Sequence, residues 1–327
     1  MSSELLYSSI ERAAQRLAGR VVRTPVLCSP MLEKLAGCRV FVKAEALQHT
    51  GAFKYRGALN KLLSLDEGAL RRGVIAYSAG NHGHAVAAAA FAVGCPAVIV
   101  LPRNAVKVKV DNCRWWGAEI VTYDPATQNR DEVARAVAAP RGLTLITPFD
   151  DPDVMAGQGT CGLELAEQLR DMDVRPDALL LNCSGGGLAC GVTEAMKHAY
   201  PDVEPYVVEP SGYDKMARSL RAGTPQVNHE VPKTILDGIA GPVAGARPLA
   251  VLQRHGAKAL SVEDADALRA MAASFRFLKL VMEPGGAASL AAVLKHRALF
   301  ADRNVVLVAS GGNVDPAVFE KALKVEL

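Results

Sequence analysis

The sequence has few aromatic residues, little net charge and no basic cluster. Of its 327 residues, 5% are aromatic and 22% are charged, and the formal net charge is +3. Nucleic-acid-binding modules carry lysines and arginines concentrated on one face. The absence of such a stripe argues against a DNA or RNA partner.

Paired-cysteine motifs are also absent. The seven cysteines are odd in number, and they form neither a CxxC pair nor a Cys/His spacing that would bind a metal. This pattern favours a reducing cytoplasmic setting over a disulfide framework. The N-terminus has no basic and apolar regions of a signal peptide. The uncharged run 85–102 is broken by Gly94 and Pro96, so it predicts a helix, a turn and a buried strand, and we expect no membrane partner.

Half of the residues are hydrophobic, which is enough for a large core. Apolar runs rich in β-branched residues alternate with helical segments. Such runs indicate parallel strands covered by helices on both faces, and therefore an α/β fold. The predicted strands lie at residues 40–42, 74–76, 98–101, 120–122, 145–146, 178–181, 206–208 and 305–308. Residues from about 70 to 145 hold their own βα repeats, which indicates a smaller unit within a larger one.

The most informative stretch is 50–58, which places Lys54 behind Phe53, in a turn of small residues ahead of a predicted helix. A lysine amine that is held near a carbonyl and loses its proton easily can act as a covalent catalyst. A solvated surface lysine is the open alternative. Three glycine-rich turns that follow predicted strands, at residues 78–83, 184–187 and 310–313, weigh against that alternative.

The turn at residues 184–187 lies between a predicted strand and a predicted helix. Free backbone N–H groups at a helix N-terminus form an anion site. No Gly-Lys-Ser/Thr follows, so this is not a Walker A motif, and Cys190 stands where a dinucleotide fingerprint requires glycine. The turn therefore predicts a phosphate site without a dinucleotide, with a purely structural turn as the alternative. A phosphate site together with a lysine that can form a Schiff base suggests pyridoxal phosphate.

Taken in order, these motifs resemble the fold-type II (tryptophan synthase β-like) pyridoxal-phosphate enzymes, in the branch of serine/threonine dehydratases and serine racemases. The resemblance covers nearly the whole chain, through matching segments at residues 24–27, 43–45, 50–54, 80–83, 148–150, 156–160, 208–210, 283–286 and 310–313. It implies two doubly wound domains with open twisted sheets and the cofactor between them. The large cofactor-binding domain would comprise residues 1–66 and 149–327, and the small domain residues 67–148. The resemblance also implies a homodimer.

The same resemblance implies roles for individual residues. Lys54 would hold the cofactor covalently and, once the substrate displaces it, remove the Cα proton. Ser78 and His82 would lie near the substrate carboxylate, although a histidine that binds the backbone of its own turn is an equal alternative for His82. The implied cofactor contacts are Phe53 beside the ring, Asn81 at the phenolic oxygen, Ser310 at the pyridine nitrogen, the main chain of Gly185, Gly186, Gly187 and Leu188 at the phosphate, and Gly238 and Glu283.

A neutral hydroxyl at Ser310 does not force a positive charge onto the ring nitrogen, and such an electron sink suits elimination. Ala79 stands where the racemases have a serine that reprotonates the carbanion, and alanine cannot transfer a proton. We therefore expect an ammonia-lyase that converts a small β-hydroxy amino acid, such as L-threonine or L-serine, into a 2-keto acid and ammonia. A serine or aspartate racemase, a β-replacement synthase and a non-catalytic sensor are less favoured.

Two positions in the sequence leave the identity of the substrate and the presence of a metal site undecided. Arg130 matches an arginine that in relatives can reach a second carboxylate, which would make 3-hydroxyaspartate a substrate; a surface ion pair is the alternative. Glu209 and the carbonyl of Tyr213 match ligands of a divalent cation in relatives. The remaining ligand position is Lys215, whose ammonium would repel Mg²⁺ and could take its place, so we expect no tight metal site. An exposed Asp214–Lys215 pair is the alternative.

Overall fold

The computed structural model of the chain describes residues 5–105, 107–230 and 233–327. Helices and strands alternate along it, as the predicted βα units require. The strands are β1 (Val26–Leu27), β2 (Arg39–Lys43), β3 (Val74–Tyr77), β4 (Ala97–Pro102), β5 (Glu119–Tyr123), β6 (Thr144–Leu145), β7 (Ala178–Asn182), β8 (Glu204–Pro210), β9 (Lys258–Val262) and β10 (Asn304–Val308).

The helices cover both faces of these strands. They are α1 (Tyr7–Leu17), α2 (Pro30–Ala36), α3 (Lys54–Leu63), α4 (Glu67–Arg72), α5 (Asn81–Val93), α6 (Lys107–Trp115), α7 (Arg130–Arg141), α8 (Pro152–Asp171), α9 (Gly187–Ala199), α10 (Lys215–Ala222), α11 (Ala246–Arg254), α12 (Asp264–Ala273), α13 (Pro284–Lys295), α14 (Arg297–Phe300) and α15 (Pro316–Leu323). Short 3₁₀ turns at Glu45–Leu47 and His49–Gly51 lead into α3, and a π-helical turn, Ser274–Leu278, follows α12.

The larger sheet has the order β1-β2-β10-β7-β8-β9, and its strands are parallel except for β1. Successive side chains of a strand point to opposite faces. In β7, Ala178 and Leu180 accordingly pack in one core, while Leu179 and Leu181 pack in another. Both faces of this sheet are therefore buried under helices, which confirms the predicted α/β fold.

The smaller sheet has the order β5-β4-β3-β6 and is parallel throughout. Its strands come from the chain between Val74 and Leu145, and they separate two further hydrophobic cores. The chain thus contains a second βα sheet where the sequence indicates a smaller unit. The domain boundaries at 66/67 and 148/149 stay a prediction.

Strands β1 and β9 were not predicted, for different physical reasons. β1 is two residues long, which is too short for any periodicity to show. β9 is an edge strand, and only its last residue is fully buried, so its sequence lacks a continuous apolar run. Ile146, placed in a predicted strand, lies just beyond the end of β6.

A network of buried charges holds the start of α3. The fully buried guanidinium of Arg56 contacts both carboxylate oxygens of Glu45 and both of Glu164, each at 2.8 Å. The ammonium of Lys43 adds a contact of 2.8 Å to Glu164. Burial opposes ionisation of Glu45, but the facing guanidinium outweighs it and keeps the pKa of this carboxyl below its usual value. The network joins α3 to α8 and to the turn after β2.

Removing Arg56 from this network should be costly, because it leaves the buried carboxylate of Glu45 without the cation that faces it. We expect Arg56→Met to lower the free energy of unfolding by about 3–5 kcal/mol. Arg23→Met is the matched control, since the Arg23–Glu167 pair is about half exposed and should contribute less than about 1 kcal/mol. Urea unfolding followed by tryptophan fluorescence measures both; equal losses in the two variants would contradict the argument.

Candidate active site

The three predicted glycine turns all follow the carboxyl ends of parallel strands. Residues 78–83 follow β3, residues 184–187 follow β7 and residues 310–313 follow β10. In open α/β sheets, ligands bind at this edge. A β-bridge between Ala52 and Gly311 brings the last turn against the segment that precedes α3. The turns therefore converge at the N-terminus of the helix that Lys54 begins.

Lys54 is not the solvated surface lysine that composition alone would suggest. Its side chain is partly buried, and Nζ donates to the carbonyl oxygen of Pro148 at 2.7 Å. Nζ also lies 5.1 Å from the centroid of the Phe53 ring. Burial disfavours the ammonium and lowers the pKa of Lys54 to about 8. A neutral, nucleophilic amine is therefore accessible near neutral pH.

This depressed pKa can be measured on the cofactor-free protein. Acylation by acetic anhydride requires the neutral amine, so we expect labelling of Lys54 to rise with pH around a midpoint near 8. A short unstructured peptide with a single lysine, added to the same solution, is the control, with a midpoint near the usual lysine value of about 10.4. Peptide mass spectrometry across a pH series quantifies both, and coincident midpoints would refute the burial argument.

Asn81 is held in one orientation by two partners. Its amide nitrogen donates to Glu283 Oε1 at 2.6 Å, and its amide oxygen accepts from Asn313 Nδ2 at 2.8 Å. Asn313 is itself fixed because the same Nδ2 donates to the carbonyl oxygen of Thr50 at 2.8 Å. The second N–H of Asn81 has no acceptor in the described part of the chain, so it can donate to a ligand oxygen.

Glu283 has an unusual protonation equilibrium. Burial raises the pKa of its carboxyl to about 7, against the opposing effect of the Asn81 hydrogen bond. Between about pH 4.5 and 7 the folded protein therefore holds a proton that the unfolded chain releases. The stability linked to this proton is present below that window and is lost as the pH rises through it.

Glu283→Gln should remove this pH dependence, because an amide does not titrate. We expect the stability of the Gln variant relative to the native chain to increase from about pH 4.5 to about pH 7.5. The gain should not exceed about 3 kcal/mol, and partial exposure of the carboxyl should reduce it. Urea unfolding of the cofactor-free proteins measures it, with the exposed Glu67→Gln as control. A difference that stays constant with pH would show that Glu283 ionises normally.

His82 binds the backbone, but not that of its own turn. Its Nε2 lies 2.9 Å from the carbonyl oxygen of Ile146, so Nε2 carries the hydrogen. Burial, together with the charge of Lys54, lowers the pKa of His82 to about 3, and the ring is neutral at ordinary pH. Its single N–H is already used, which leaves no donor for a carboxylate. The predicted contact of His82 with the substrate carboxylate gains no support from this arrangement and stays a prediction.

The Ser78 hydroxyl is better placed than His82 to donate a hydrogen bond to a ligand. Its Oγ accepts from the N–H of Gly80 at 3.1 Å, and no acceptor takes its hydroxyl hydrogen within the described chain. The side chain is half-buried, directly after the end of β3. Its hydroxyl hydrogen is therefore available to a ligand.

The turn after β7 forms a cradle that only glycine can build. A Cβ at Gly185 would lie 2.3 Å from the Phe149 ring, and Gly186 has a φ of +98°. The first backbone donation into α9 comes from Cys190, to Gly186 at 2.8 Å. Four backbone N–H groups of the turn have no acceptor in the described ranges. They belong to Gly185, Gly186, Gly187 and Leu188. Four unpaired donors at a helix N-terminus match the needs of a phosphate group.

Ser310 lies beside the start of α3, where its carbonyl accepts the N–H of Phe53 at 3.1 Å. Its hydroxyl oxygen accepts from Asn182 Nδ2 at 2.9 Å. Asn182 is a residue that the sequence analysis missed. A polar side chain at the end of the otherwise apolar β7, just before a glycine turn, is the signal that could have revealed it.

Arg130 and Gly238 occupy different settings. The guanidinium of Arg130 lies 5.5 Å from the centroid of the Tyr77 ring, and Tyr77 directly precedes Ser78. The neighbouring Asp131 pairs with Arg135, and no carboxylate of the described chain forms an ion pair with Arg130. The described residues therefore offer no ion-pair partner for Arg130, and its contact with a second carboxylate stays a prediction. Gly238 is exposed, with open space where a Cβ would stand, and its contact with the cofactor stays a prediction.

The ammonium of Lys215 lies beside Glu209. Both side chains are buried, and Lys215 Nζ lies 3.2 Å from Glu209 Oε1. Glu209 also accepts the N–H groups of Met216 and Ala217, at 3.0 and 2.8 Å. The alternative of an exposed Asp214–Lys215 pair is wrong, because Lys215 has no exposed surface. In the described residues, no cluster of three or more His, Cys, Asp or Glu side chains could hold a metal ion.

The site thus combines an amine with a depressed pKa, a glycine cradle with four free N–H groups, an amide donor and a buried hydroxyl. Such a site, at the carboxyl edge of an α/β fold, defines an enzyme with a lysine-bound, phosphate-bearing cofactor. The family model of pyridoxal-phosphate dependent enzymes matches residues 17–311. The chain belongs to this family, and its cofactor is pyridoxal phosphate.

Individual relatives cover nearly the whole chain. The chain is 38% identical to an L-threo-3-hydroxyaspartate ammonia-lyase from a Pseudomonas species, over 97% of this chain and 98% of that protein. It is 38% identical to serine racemase of Arabidopsis thaliana, over 94% of this chain and 92% of that protein. A crystal structure of threonine deaminase from T.th. superposes with a TM-score of 0.90 at 41% identity, over 95% of this chain and 99% of that one. The protein is an enzyme of the fold-type II ammonia-lyase and racemase group. No helix in the described ranges combines the length and apolar character that crossing a bilayer requires.

Proposed function

We propose that this enzyme converts 3-hydroxyaspartate into oxaloacetate and ammonia, by elimination of water followed by hydrolysis, with L-serine and L-threonine as poorer substrates. The observation that carries the proposal is Arg130. Its guanidinium stacks near Tyr77, beside Ser78, and has no carboxylate partner in the described chain. A guanidinium that has no carboxylate partner suits a substrate with a second carboxylate, because it binds carboxylate in bidentate fashion.

The comparisons include enzymes for several of these substrates. Hydroxyaspartate enzymes from Pseudomonas and from Paracoccus denitrificans are 38% and 35% identical to the chain. The L-threonine ammonia-lyase of Thermotoga maritima is 35% identical. Overall identity therefore does not separate the substrates, and the argument depends on Arg130.

The reaction balances as an internal elimination followed by hydrolysis. The Cα–H bond and the Cβ–O bond break, and water leaves. The enamine that is released takes up water and yields the 2-keto acid and ammonia. When bound, pyridoxal phosphate supplies the conjugated ring that withdraws the electron pair of the Cα–H bond.

Lys54 is proposed as both the anchor of the cofactor and the base at Cα. With a pKa of about 8, below the usual lysine value, its amine is neutral in a useful fraction of molecules at physiological pH. In the structure its Nζ donates to the Pro148 carbonyl at 2.7 Å.

The remaining contacts follow from the free donors of the site. The N–H groups of Gly185 to Leu188 would bind the cofactor phosphate, and the second N–H of Asn81 its phenolic oxygen. Phe53 would lie beside the ring, Ser310 would face the pyridine nitrogen, and Glu283 would act through Asn81. The free hydroxyl hydrogen of Ser78 is directed to the α-carboxylate of the substrate.

Ala79 supports elimination over racemisation. Its methyl group packs against the core of the small sheet, next to Ser78, and offers no proton for the second face of Cα. Its position in the site turn therefore favours a lyase.

We also propose a cytoplasmic homodimer. All seven cysteines are free, and six of them are buried, which fits a reducing compartment. The dimer is an expectation from the family resemblance.

A competition assay tests the substrate. The holoenzyme is offered L-serine, L-threonine and the 3-hydroxyaspartate isomers together, and the keto acids are counted by mass spectrometry. We expect oxaloacetate in excess. Arg130→Gln should lower the preference for hydroxyaspartate over serine about 10- to 100-fold, since a bidentate charged contact contributes about 1.5–3 kcal/mol.

Arg135→Gln is the matched control on the same helix, and it should leave the preference unchanged because Arg135 already pairs with Asp131 on the surface. Pyruvate and 2-oxobutyrate in excess would identify a serine/threonine dehydratase instead. No keto acid from any of the substrates, with the cofactor bound, would overturn the proposed elimination.

A further inference from the structure

Asn182 lies at the end of β7, buried, with all of its side-chain polar atoms in hydrogen bonds. Its amide oxygen accepts from the backbone N–H of Ser289 at 2.6 Å and from the Ser289 hydroxyl at 2.7 Å. Its amide nitrogen lies 2.9 Å from the Gly286 carbonyl and 3.1 Å from the Val308 carbonyl. The third contact of this nitrogen, at 2.9 Å, is the Ser310 hydroxyl oxygen.

The orientation of this amide is not ambiguous. A backbone N–H can only donate, and a backbone carbonyl can only accept. The Ser289 N–H therefore fixes the amide oxygen on one side, and the carbonyls of Gly286 and Val308 fix the amide nitrogen on the other. A flipped amide would set a donor against a donor and acceptors against acceptors in a buried site, where unpaired polar groups are costly.

The fixed orientation of the Asn182 amide limits the hydrogen bonds that the Ser310 hydroxyl can make. Asn182 Nδ2 shares two hydrogens among three acceptors and has no lone pair to offer, so the Ser310 hydroxyl cannot donate to it. The hydroxyl hydrogen must then point elsewhere. No acceptor for it occurs among the residues that the structure describes, and Ser310 adjoins Phe53, next to Lys54. The hydrogen is therefore left for a group bound in the site.

We propose that Asn182 is a positioning residue that makes the Ser310 hydroxyl a hydrogen-bond donor to the pyridine nitrogen of the bound cofactor. This inference rests on the proposed function, which places Ser310 at that nitrogen. A nitrogen that accepts a hydrogen bond through its lone pair stays unprotonated. The ring is then a moderate electron sink, which favours loss of a β leaving group over a long-lived carbanion and its reprotonation.

The buried carboxyl group of Glu283 does not substitute for this control. Glu283 faces Asn81, whose amide nitrogen donates to Oε1 at 2.6 Å. Within the described chain, the only hydrogen-bond partner of the Ser310 hydroxyl is Asn182. The direction of the hydrogen bond at Ser310 thus depends on this one amide.

The test measures the protonation state of the ring nitrogen and does not measure turnover. The protein is loaded with pyridoxal phosphate labelled with ¹⁵N in the ring, and the ¹⁵N chemical shift is recorded by NMR between about pH 6 and pH 9 without substrate. We expect the native enzyme to show an unprotonated, hydrogen-bonded nitrogen throughout. A protonated nitrogen in the native enzyme would overturn the proposal without any variant.

Two substitutions then test Asn182 itself. Asn182→Leu keeps the shape but frees two carbonyls, which should attract the Ser310 hydroxyl hydrogen, and Asn182→Asp replaces the donor with an acceptor. In either variant the Ser310 hydroxyl hydrogen should turn away from the ring. The ¹⁵N signal should then leave its native, hydrogen-bonded position, moving downfield if the nitrogen is left without a donor and far upfield if solvent protonates it. A folded variant that keeps the native shift would refute the role of Asn182.

Ser289→Ala is the matched control. It removes one hydrogen bond from Asn182, but the Ser289 backbone N–H still fixes the amide, so the native shift should persist. A purely structural role for Asn182 would lower stability in all three variants without moving the ¹⁵N signal. Because no substrate is present, a failed competition assay with the expected shifts would overturn only the assignment of the reaction.

Discussion

The geometry of the site depends on the hydrogen bonds of the buried Arg56 guanidinium. Arg56 lies two residues after Lys54 on the first turn of α3. Its planar guanidinium donates hydrogen bonds to both carboxylate oxygens of Glu45 and both of Glu164. A lysine could not reproduce this geometry, because its ammonium is a point charge without a planar fork. The network therefore fixes the helix N-terminus to α8 and to the turn after β2, so the reactive amine begins from a rigid position.

The segment at residues 146–150 links the parts of the site that come from different strands. The Ile146 carbonyl binds His82, the Pro148 carbonyl binds Lys54, and the Phe149 ring packs into the glycine turn after β7. Asp150 then contacts the start of α11 through the N–H of Ala246. One short loop thus connects the amine, the cradle and the small-sheet turn, and a change in its path would disturb all three.

Local sequence patterns predicted most of the fold, because buried parallel strands and glycine turns are visible in short windows. Lys54 and the turn after β7 were found in the same way. Asn182 was not, since its partners Gly286 and Ser289 lie more than 100 residues away in the sequence. For Lys215, the sequence left two possibilities open. Only burial, which depends on the packing of the whole domain, shows that its ammonium lies against Glu209 and not in solvent.

The Lys215–Glu209 pair affects how this part of the protein depends on free ions in the medium. A bound ion exchanges with the medium, so the charge that it provides varies with ion concentration and can be removed by a chelator. An ammonium on a side chain is present once in every molecule and leaves only if the protein unfolds. The partner of Glu209 is therefore part of the chain itself, and its presence does not depend on the concentration of a free ion.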